Sequence, residues 1–348
     1  MNPVRLAGHT GDYLTLYADC FLVQGHTRTM ICDVSRKKMF FISNAYHELL
    51  LELKTKTIGE VGDMLEDQSD FEEFEQFANY LISHELGFIT DNIECFPPID
   101  LVWDSPYSIT NAIIDIREKR LNFEKIFLEL EQLNCPYVQI RAYSVLSPEQ
   151  LQSILLCTAA TDFKHMQFLL KFPQSFSIEP YSQLVQQYKM ISLQFHSVPG
   201  ADFEQLKGSY PYSDISFIRQ EIDSCAGCGV INSESFTLYS LHGFIENIRF
   251  NGCLNRKISI DENGDICNCP SMAKKHGNID NTYLKDVMAK EEFQVYWHIN
   301  KDEVAVCKDC EYRYICTDCR AYLTDPGNLY SKPLKCNYNP YTAKWNNQ

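Results

Sequence analysis

The last third of the chain carries thiols spaced for ligation. Cys307, Cys310, Cys316 and Cys319 stand as C-x2-C-x5-C-x2-C, and Cys336 follows alone. Two thiolates separated by two residues can grip one metal centre from a single tight turn. Upstream, Cys253 is followed by Gly264 and then by Cys267 and Cys269, and a further C-x2-C pair stands at Cys225 and Cys228. Soft sulfur ligands select iron–sulfur clusters or zinc. Spacing alone leaves both open, because C-x2-C pairs are also common zinc knuckles.

Composition narrows the setting. The chain has 348 residues, 45% hydrophobic, enough for two or three domains with real cores. No run of eighteen uncharged apolar residues occurs, so no transmembrane helix is expected. The N-terminus has no apolar h-region, so no secretory signal is expected. Fifteen cysteines in that context predict a cytoplasmic protein that uses thiols for metal, not for a disulfide framework. A net charge of −15 argues against nucleic acid as the partner. Residues 57–115 hold fourteen Asp and Glu and no Lys or Arg, which reads as a solvated acidic face or as a docking surface for a basic partner.

Three segments must position these thiols. In residues 1–98, strands are expected over 14–23, 29–34 and 38–43. Asn44 then reads as the cap of a helix carrying Tyr46, Leu49, Leu50 and Leu53. Thr57 opens a second helix, and Phe74, Phe77, Ala78 and Leu81 form the apolar stripe of a third. Gly87 ends it, and residues 88–90 return as a short strand, the order of a small winged helix. After the Pro97-Pro98 linker, residues 99–222 alternate strands (108–116, 137–143, 165–170, 190–195, 215–222) with helices, which implies an α/β unit with a parallel sheet or partial barrel. Residues 223–348 are turn-rich and hold ten of the cysteines. There the turn 261–265 joins a hairpin that would bring Cys253 and Cys269 to neighbouring strand ends.

This cysteine pattern resembles the SPASM domain of peptide-modifying radical SAM enzymes. Cys253 is followed by ten residues, Gly264, four residues and Cys269, then by Cys307, Cys310, Cys316, Cys319 and Cys336. One departure is visible: Cys316 and Cys319 are two residues apart, where the family has three. The stretches Asn251-Gly252-Cys253-Leu254-Asn255-Arg256-Lys257-Ile258, Asn268-Cys269-Pro270-Ser271-Met272 and Lys335-Cys336-Asn337-Tyr338-Asn339-Pro340-Tyr341 look like the grasp-with-spasm peptide maturases. The N-terminal segment resembles the leader-binding element of such systems, similar to the pyrroloquinoline-quinone chaperone, in which a leader peptide adds as an extra strand and lies against the last helix.

The resemblance implies one or two [4Fe–4S] clusters. Cys307, Cys310, Cys316 and Cys336 would hold one. Cys253, Cys269 and Cys319 would hold another, with Cys228 as the preferred fourth ligand and Cys225 and Cys267 as competitors. It also implies a ribosomal precursor peptide and an ATP-grasp ligase as partners. The C-x3-C-x2-C motif that binds the S-adenosylmethionine cluster is missing: the equivalent stretch, residues 108–117, has no cysteine. Residues 138–147 replace the glycine-rich stretch that contacts the methionine amino group. The expectation is therefore an accessory maturase on a degenerate radical-SAM-like barrel, with no SAM cleavage and no catalytic residue. The alternatives are a peptide-modifying iron–sulfur enzyme, or a zinc-stapled adaptor. His196 and His276 are more simply structural histidines than site residues.

Overall fold

The computed structural model describes residues 3–200, 203, 214–236 and 240–346. The N-terminal segment begins with β1 (Tyr13–Leu16), β2 (Cys20–Gln24), β3 (Thr29–Asp33) and β4 (Lys38–Ile42). The strand expected over 14–23 is thus two strands. The Cys20 amide donates to the Tyr17 carbonyl at 2.9 Å, and that turn sends β1 away from the sheet. β1 pairs antiparallel with β5 (Gly87–Thr90), while β2, β3 and β4 form an antiparallel meander with β2 and β4 at its edges.

Three helices lie between β4 and β5: α1 (Asn44–Glu52), α2 (Ile58–Gly62) and α3 (Gln68–Ser83). Ser43, not Asn44, is the cap of α1. The Asn44 side chain instead stitches the β2–β3 hairpin: its amide donates to the Gly25 and His26 carbonyls at 3.1 and 3.2 Å. Thr57 and Glu60 form a reciprocal capping box on α2. The predicted stripe on α3 is buried and packs with Leu14, Ile31, Leu50 and Val61.

The centre of the molecule is a seven-stranded, mostly parallel sheet of order β10-β9-β8-β7-β6-β11-β12. Its parallel run comprises β6 (Asn111–Ile116), β7 (Tyr137–Ala142), β8 (His165–Lys171), β9 (Ile191–His196) and β10 (Ile215–Phe217). The strand expected over 215–222 stops at Phe217. Helices α4 (Phe123–Gln132), α5 (Pro148–Leu156) and α6 (Ile178–Gln187) connect successive strands and cover the core around Ile114, Ile140, Phe168 and Phe195.

The last two strands belong to the cysteine-rich segment. β11 (Lys257–Ile260) pairs in parallel with β6 and antiparallel with β12 (Ile266–Cys267). Gly264, at φ 84°, makes the left-handed step their connection needs. The hairpin therefore extends the central sheet and anchors the thiol segment to it. The remaining elements are short: α7 (Leu241–Arg249), α8 (Leu284–Met288), α9 (Glu291–Gln294), β13 (Tyr338–Asn339) and β14 (Lys344–Trp345).

The N-terminal sheet is covered on both sides. Val23, Met30, Cys32 and Val34 pack against Phe244, Tyr312, Ile315 and Tyr338 of the cysteine-rich segment. All five residues of β3 are consequently buried. Among the described residues no helix is long and apolar enough to cross a membrane.

Candidate metal centre

The turn after α7 presents Cys253. Asn251 Oδ1 accepts from the Cys253 and Leu254 amides at 3.1 and 2.9 Å, and Asn251 Nδ2 donates to Asp318 Oδ2 at 2.7 Å. One side chain thus ties the Cys253 turn to the loop between Cys316 and Cys319. Four residues after Cys253, the half-buried Lys257 turns back and sets its Nζ 3.5 Å from Cys253 Sγ. Burial works against that ammonium, but the sulfurs of Cys253, Cys269 and Cys228 outweigh it and raise the Lys257 pKa.

Cys269 and Cys319 complete this group. Burial and then the Cys253 sulfur push the Cys269 thiol up to about 12, with Cys228 adding to the shift. Burial also raises Cys319, and Cys253 and Cys228 contribute again. Cys269 and Cys319 thus each carry the electrostatic influence of Cys253 and Cys228, and these four thiols are called site I below. Gly229, at φ 87°, lets the Cys228 loop pass against it: a Cβ there would lie 2.9 Å from Cys319 Sγ.

The two competitors of Cys228 are placed differently. Cys225 opens a tight turn, and its carbonyl accepts from Ser271 Oγ at 2.9 Å. Its sulfur neighbours Tyr143 and Tyr322. Cys267 is fully buried in β12, with Sγ 3.9 Å from Lys275 Nζ and 3.8 Å from the Asp265 carbonyl. Of the three, Cys228 acts electrostatically on Lys257, Cys269 and Cys319, while Cys267 is linked in the same way to Cys269.

Site II is assembled from the C-x2-C turn, Cys316 and Cys336. Val306, immediately before Cys307, sits at φ 68°, a left-handed backbone that β-branched residues rarely adopt. Burial raises the Cys307 thiol, and Asp318, Cys316 and Cys336 add to it. Burial raises Cys310 well above an ordinary thiol, with Cys316 and Cys307 contributing. Cys316 is pushed up to about 12 by burial, with Asp318 and Cys336 adding. Cys336 bridges in parallel to Ile231, and Lys335 Nζ donates to the Cys228 carbonyl at 2.9 Å, so the two sites share a wall.

Among the described residues no three His, Cys, Asp or Glu side chains close on a point that a single ion would fill. A zinc ion draws its thiolates onto one point through bonds of about 2.3 Å. The donor set itself, thiol sulfur throughout, suits an iron–sulfur cluster as it does zinc. A second feature of site II fits an anionic guest: Lys301 is only 1% exposed, and its Nζ has no hydrogen-bond partner among the described residues.

At the C-terminal ends of β6 and β7 a buried ion pair stands between the strands. Asp115 and Arg141 are register partners. Arg141 Nε and Nη2 donate to the two Asp115 oxygens at 2.7 and 2.8 Å, and Tyr143 OH donates to Asp115 Oδ2 at 2.7 Å. The trio lies within residues 108–117 and 138–147, and it is electrostatically linked to the thiols Cys269, Cys225 and Cys267.

The remaining candidates are structural. His196 is buried, with Nε2 3.2 Å from the Ala142 carbonyl and Nδ1 2.9 Å from Ser197 Oγ. His276 packs edge-on against Phe293; among the described residues neither ring nitrogen has a hydrogen-bond partner, and Nδ1 lies 3.8 Å from Glu292 Oε1. Tyr312 and Tyr314 pack beside site II, and Tyr322 lies under the Lys335 ammonium at 3.8 Å. Of the N-terminal thiols, Cys20, Cys32 and Cys135 are buried, Cys157 is half-buried and Cys95 is exposed. Sequence reasoning missed Asn251, Lys257, Lys301 and the Asp115–Arg141 pair as site residues. A signal existed for the last: two opposite charges, each near the end of an otherwise apolar strand.

No curated protein sequence matches the chain. A solved structure, Streptococcus suis SuiB bound to precursor peptide SuiA, aligns over 88% of this chain and 96% of that one, at 12% identity and a TM-score of 0.31. Residues 253–311, the stretch that contains Cys253, Cys269, Cys307 and Cys310 together with Lys257 and Lys301, match SPASM, an iron–sulfur cluster-binding domain.

Proposed function

We propose that this protein is an accessory maturase of a ribosomally synthesised peptide. In this reading it binds the precursor leader through its N-terminal segment and presents the core to a partner ATP-grasp ligase, which forms side-chain ester or amide links. Site I (Cys228, Cys253, Cys269, Cys319) and site II (Cys307, Cys310, Cys316, Cys336) each hold a [4Fe–4S] cluster. The observation that carries the reading is the match of residues 253–311 to the SPASM iron–sulfur cluster-binding domain, with these thiols within and beside it. When bound, a cluster supplies a rigid anionic staple and a one-electron redox centre. The protein's own residues fix its place: Asn251 orients the Cys253 turn, Gly229 admits the Cys228 loop, and Lys335 joins the two walls.

The central sheet is read as a radical-SAM-like barrel remnant that does not cleave S-adenosylmethionine. What supports this is the bidentate Asp115–Arg141 pair, which with Tyr143 fills the strand ends where a SAM-cluster loop would begin. For the leader, the supported route is addition to the free edge of β4, next to α3, where Phe40 meets His84 at 5.5 Å and His84 meets Tyr80 at 4.2 Å.

The test is co-expression of the precursor peptide and the ligase, with and without this protein, read by mass spectrometry of the peptide. Anaerobically purified protein is assayed in parallel for iron, sulfide and 5′-deoxyadenosine release. The reading expects ligase-dependent mass loss by dehydration that requires this protein, iron and sulfide in equal amounts, and no 5′-deoxyadenosine. Peptide modification without the ligase makes this protein the enzyme. Zinc in place of iron and sulfide makes it an adaptor.

A further inference from the structure

Lys301 poses a problem that the fold alone does not solve. Its ammonium is buried and without a hydrogen-bond partner among the described residues. A lone buried cation is strongly unfavourable, so something negative must face it. The two buried carboxylates of this region are already engaged. Asp318 accepts from Arg320 Nη2 at 2.5 Å and from Asn251 Nδ2 at 2.7 Å. Glu311 accepts through Oε1 from Arg28 Nε at 2.7 Å and from Tyr338 OH; its buried Oε2 has no hydrogen-bond partner among the described residues, and no ion pair there joins it to Lys301. Each carboxylate thus has its own guanidinium, and Lys301 is left over. The Lys301 charge acts on the Cys307 and Cys316 thiols, opposing the burial that raises them.

Site I repeats the arrangement. Lys257 Nζ lies 3.5 Å from Cys253 Sγ and also faces Cys269 and Cys228. Each thiol foursome therefore has one lysine of its own, reached from a different element: β11 for site I, and the turn at Lys301 for site II.

We propose that Lys301 and Lys257 are the dedicated counter-charges of the two clusters, one per site, and that each sets the reduction potential of its own cluster. The proposal rests on the cluster assignment above. A four-iron cluster held by four thiolates is an anion and becomes more negative on reduction. A fixed positive charge against it favours the reduced form and raises the potential. The two lysines are positioning charges, not ligands: their role is to tune, and to make a buried anion tolerable.

The test is an anaerobic redox titration followed by electron paramagnetic resonance on the full chain. Cys269→Ser and Cys316→Ser first assign the signals by removing one cluster each. Lys301→Met is then expected to move only the Cys316-dependent signal to a more negative potential, and Lys257→Met only the Cys269-dependent one. Lys301→Arg keeps the charge and is expected to stay near the parent value. Loss of the site II cluster in Lys301→Met but not in Lys301→Arg supports the same assignment, because charge and not shape is then what the site requires. Unchanged potentials in both Met variants, with iron content intact, overturn it. Loss of the cluster in both Lys301 variants also overturns it. A parent protein without iron and sulfide fails earlier and rejects the cluster assignment itself.

Discussion

At the scale of single residues, the molecule buries a pair of opposite charges between two parallel strands of its central sheet. Asp115 and Arg141 are opposite one another in register on parallel strands and joined by two bonds of 2.7 and 2.8 Å. Two charges leave water there, so removing one partner is costlier than removing both. Asp115→Ala strands the Arg141 guanidinium and is expected to lower unfolding stability by about 3–5 kcal/mol. Replacing the pair together, Asp115→Leu with Arg141→Met, is expected to recover most of that loss. Urea denaturation of the three proteins decides it: a double variant as unstable as the single one means that the pair has a value beyond mutual neutralisation. The thiols were legible at this scale, because C-x2-C spacing announces ligation wherever it occurs. Their buried lysines were not. Nothing in the sequence distinguishes Lys257 or Lys301 from a solvated lysine until the fold removes water from around them.

At the scale of elements, periodicity carried far. The stripe Phe74, Phe77, Ala78, Leu81 became the buried face of α3, and the alternation after Pro98 became β6 to β10 with their helices. Two misreadings have different causes. The expected strand over 14–23 is cut by a local turn, closed between the Cys20 amide and the Tyr17 carbonyl. Asn44 is drawn from its capping role by the Gly25 and His26 carbonyls, a tertiary partner that outweighs a local preference and lies outside any short window of sequence. The parallel pairing of β11 with β6 is the same kind of fact, made between residues more than a hundred positions apart. The free edge of β4 supports an elemental prediction. If the leader adds there as a strand, its backbone hydrogen bonds carry affinity while its side chains carry little. N-methylation of a leader residue whose N–H faces β4 is expected to weaken binding roughly tenfold, equivalent to about 1.4 kcal/mol. N-methylation of its neighbours is expected to change little. Calorimetry with the two peptide sets reads the alternation, and equal losses at successive residues exclude strand addition.

At the scale of the whole molecule, the cysteine-rich segment and the N-terminal sheet are mechanically joined. Val23, Met30, Cys32 and Val34 rest on Tyr312, Ile315 and Tyr338, residues that stand between the proposed ligands Cys310, Cys316 and Cys336 or just beyond them. Polar contacts reinforce that floor. Arg28, in the β2–β3 turn, donates to Glu311 at 2.7 Å and to Tyr312 OH at 3.1 Å, and its guanidinium lies 3.9 Å from the Phe41 ring on the β4 edge. The His26 amide donates to the Asp309 carbonyl at 2.8 Å, inside the C-x2-C turn. Site II is thus one face of the compartment that supports the proposed leader edge. If site II holds the proposed cluster, removing its iron would free the 307–316 turns from their anchor, and the sheet would lose a rigid neighbour while α3 keeps its own core with Leu14, Ile31 and Leu50. Hydrogen exchange on chelator-treated against iron-replete protein should therefore quicken in residues 307–316 and also in 20–34, with residues 68–83 unaffected. Cys316→Ser should reproduce the pattern without a chelator, and leader affinity should fall in step with it. Faster exchange confined to the cysteine-rich segment, with the N-terminal sheet unchanged and leader affinity intact, would mean that the two halves touch without coupling. In that case the clusters would stabilise only their own loops.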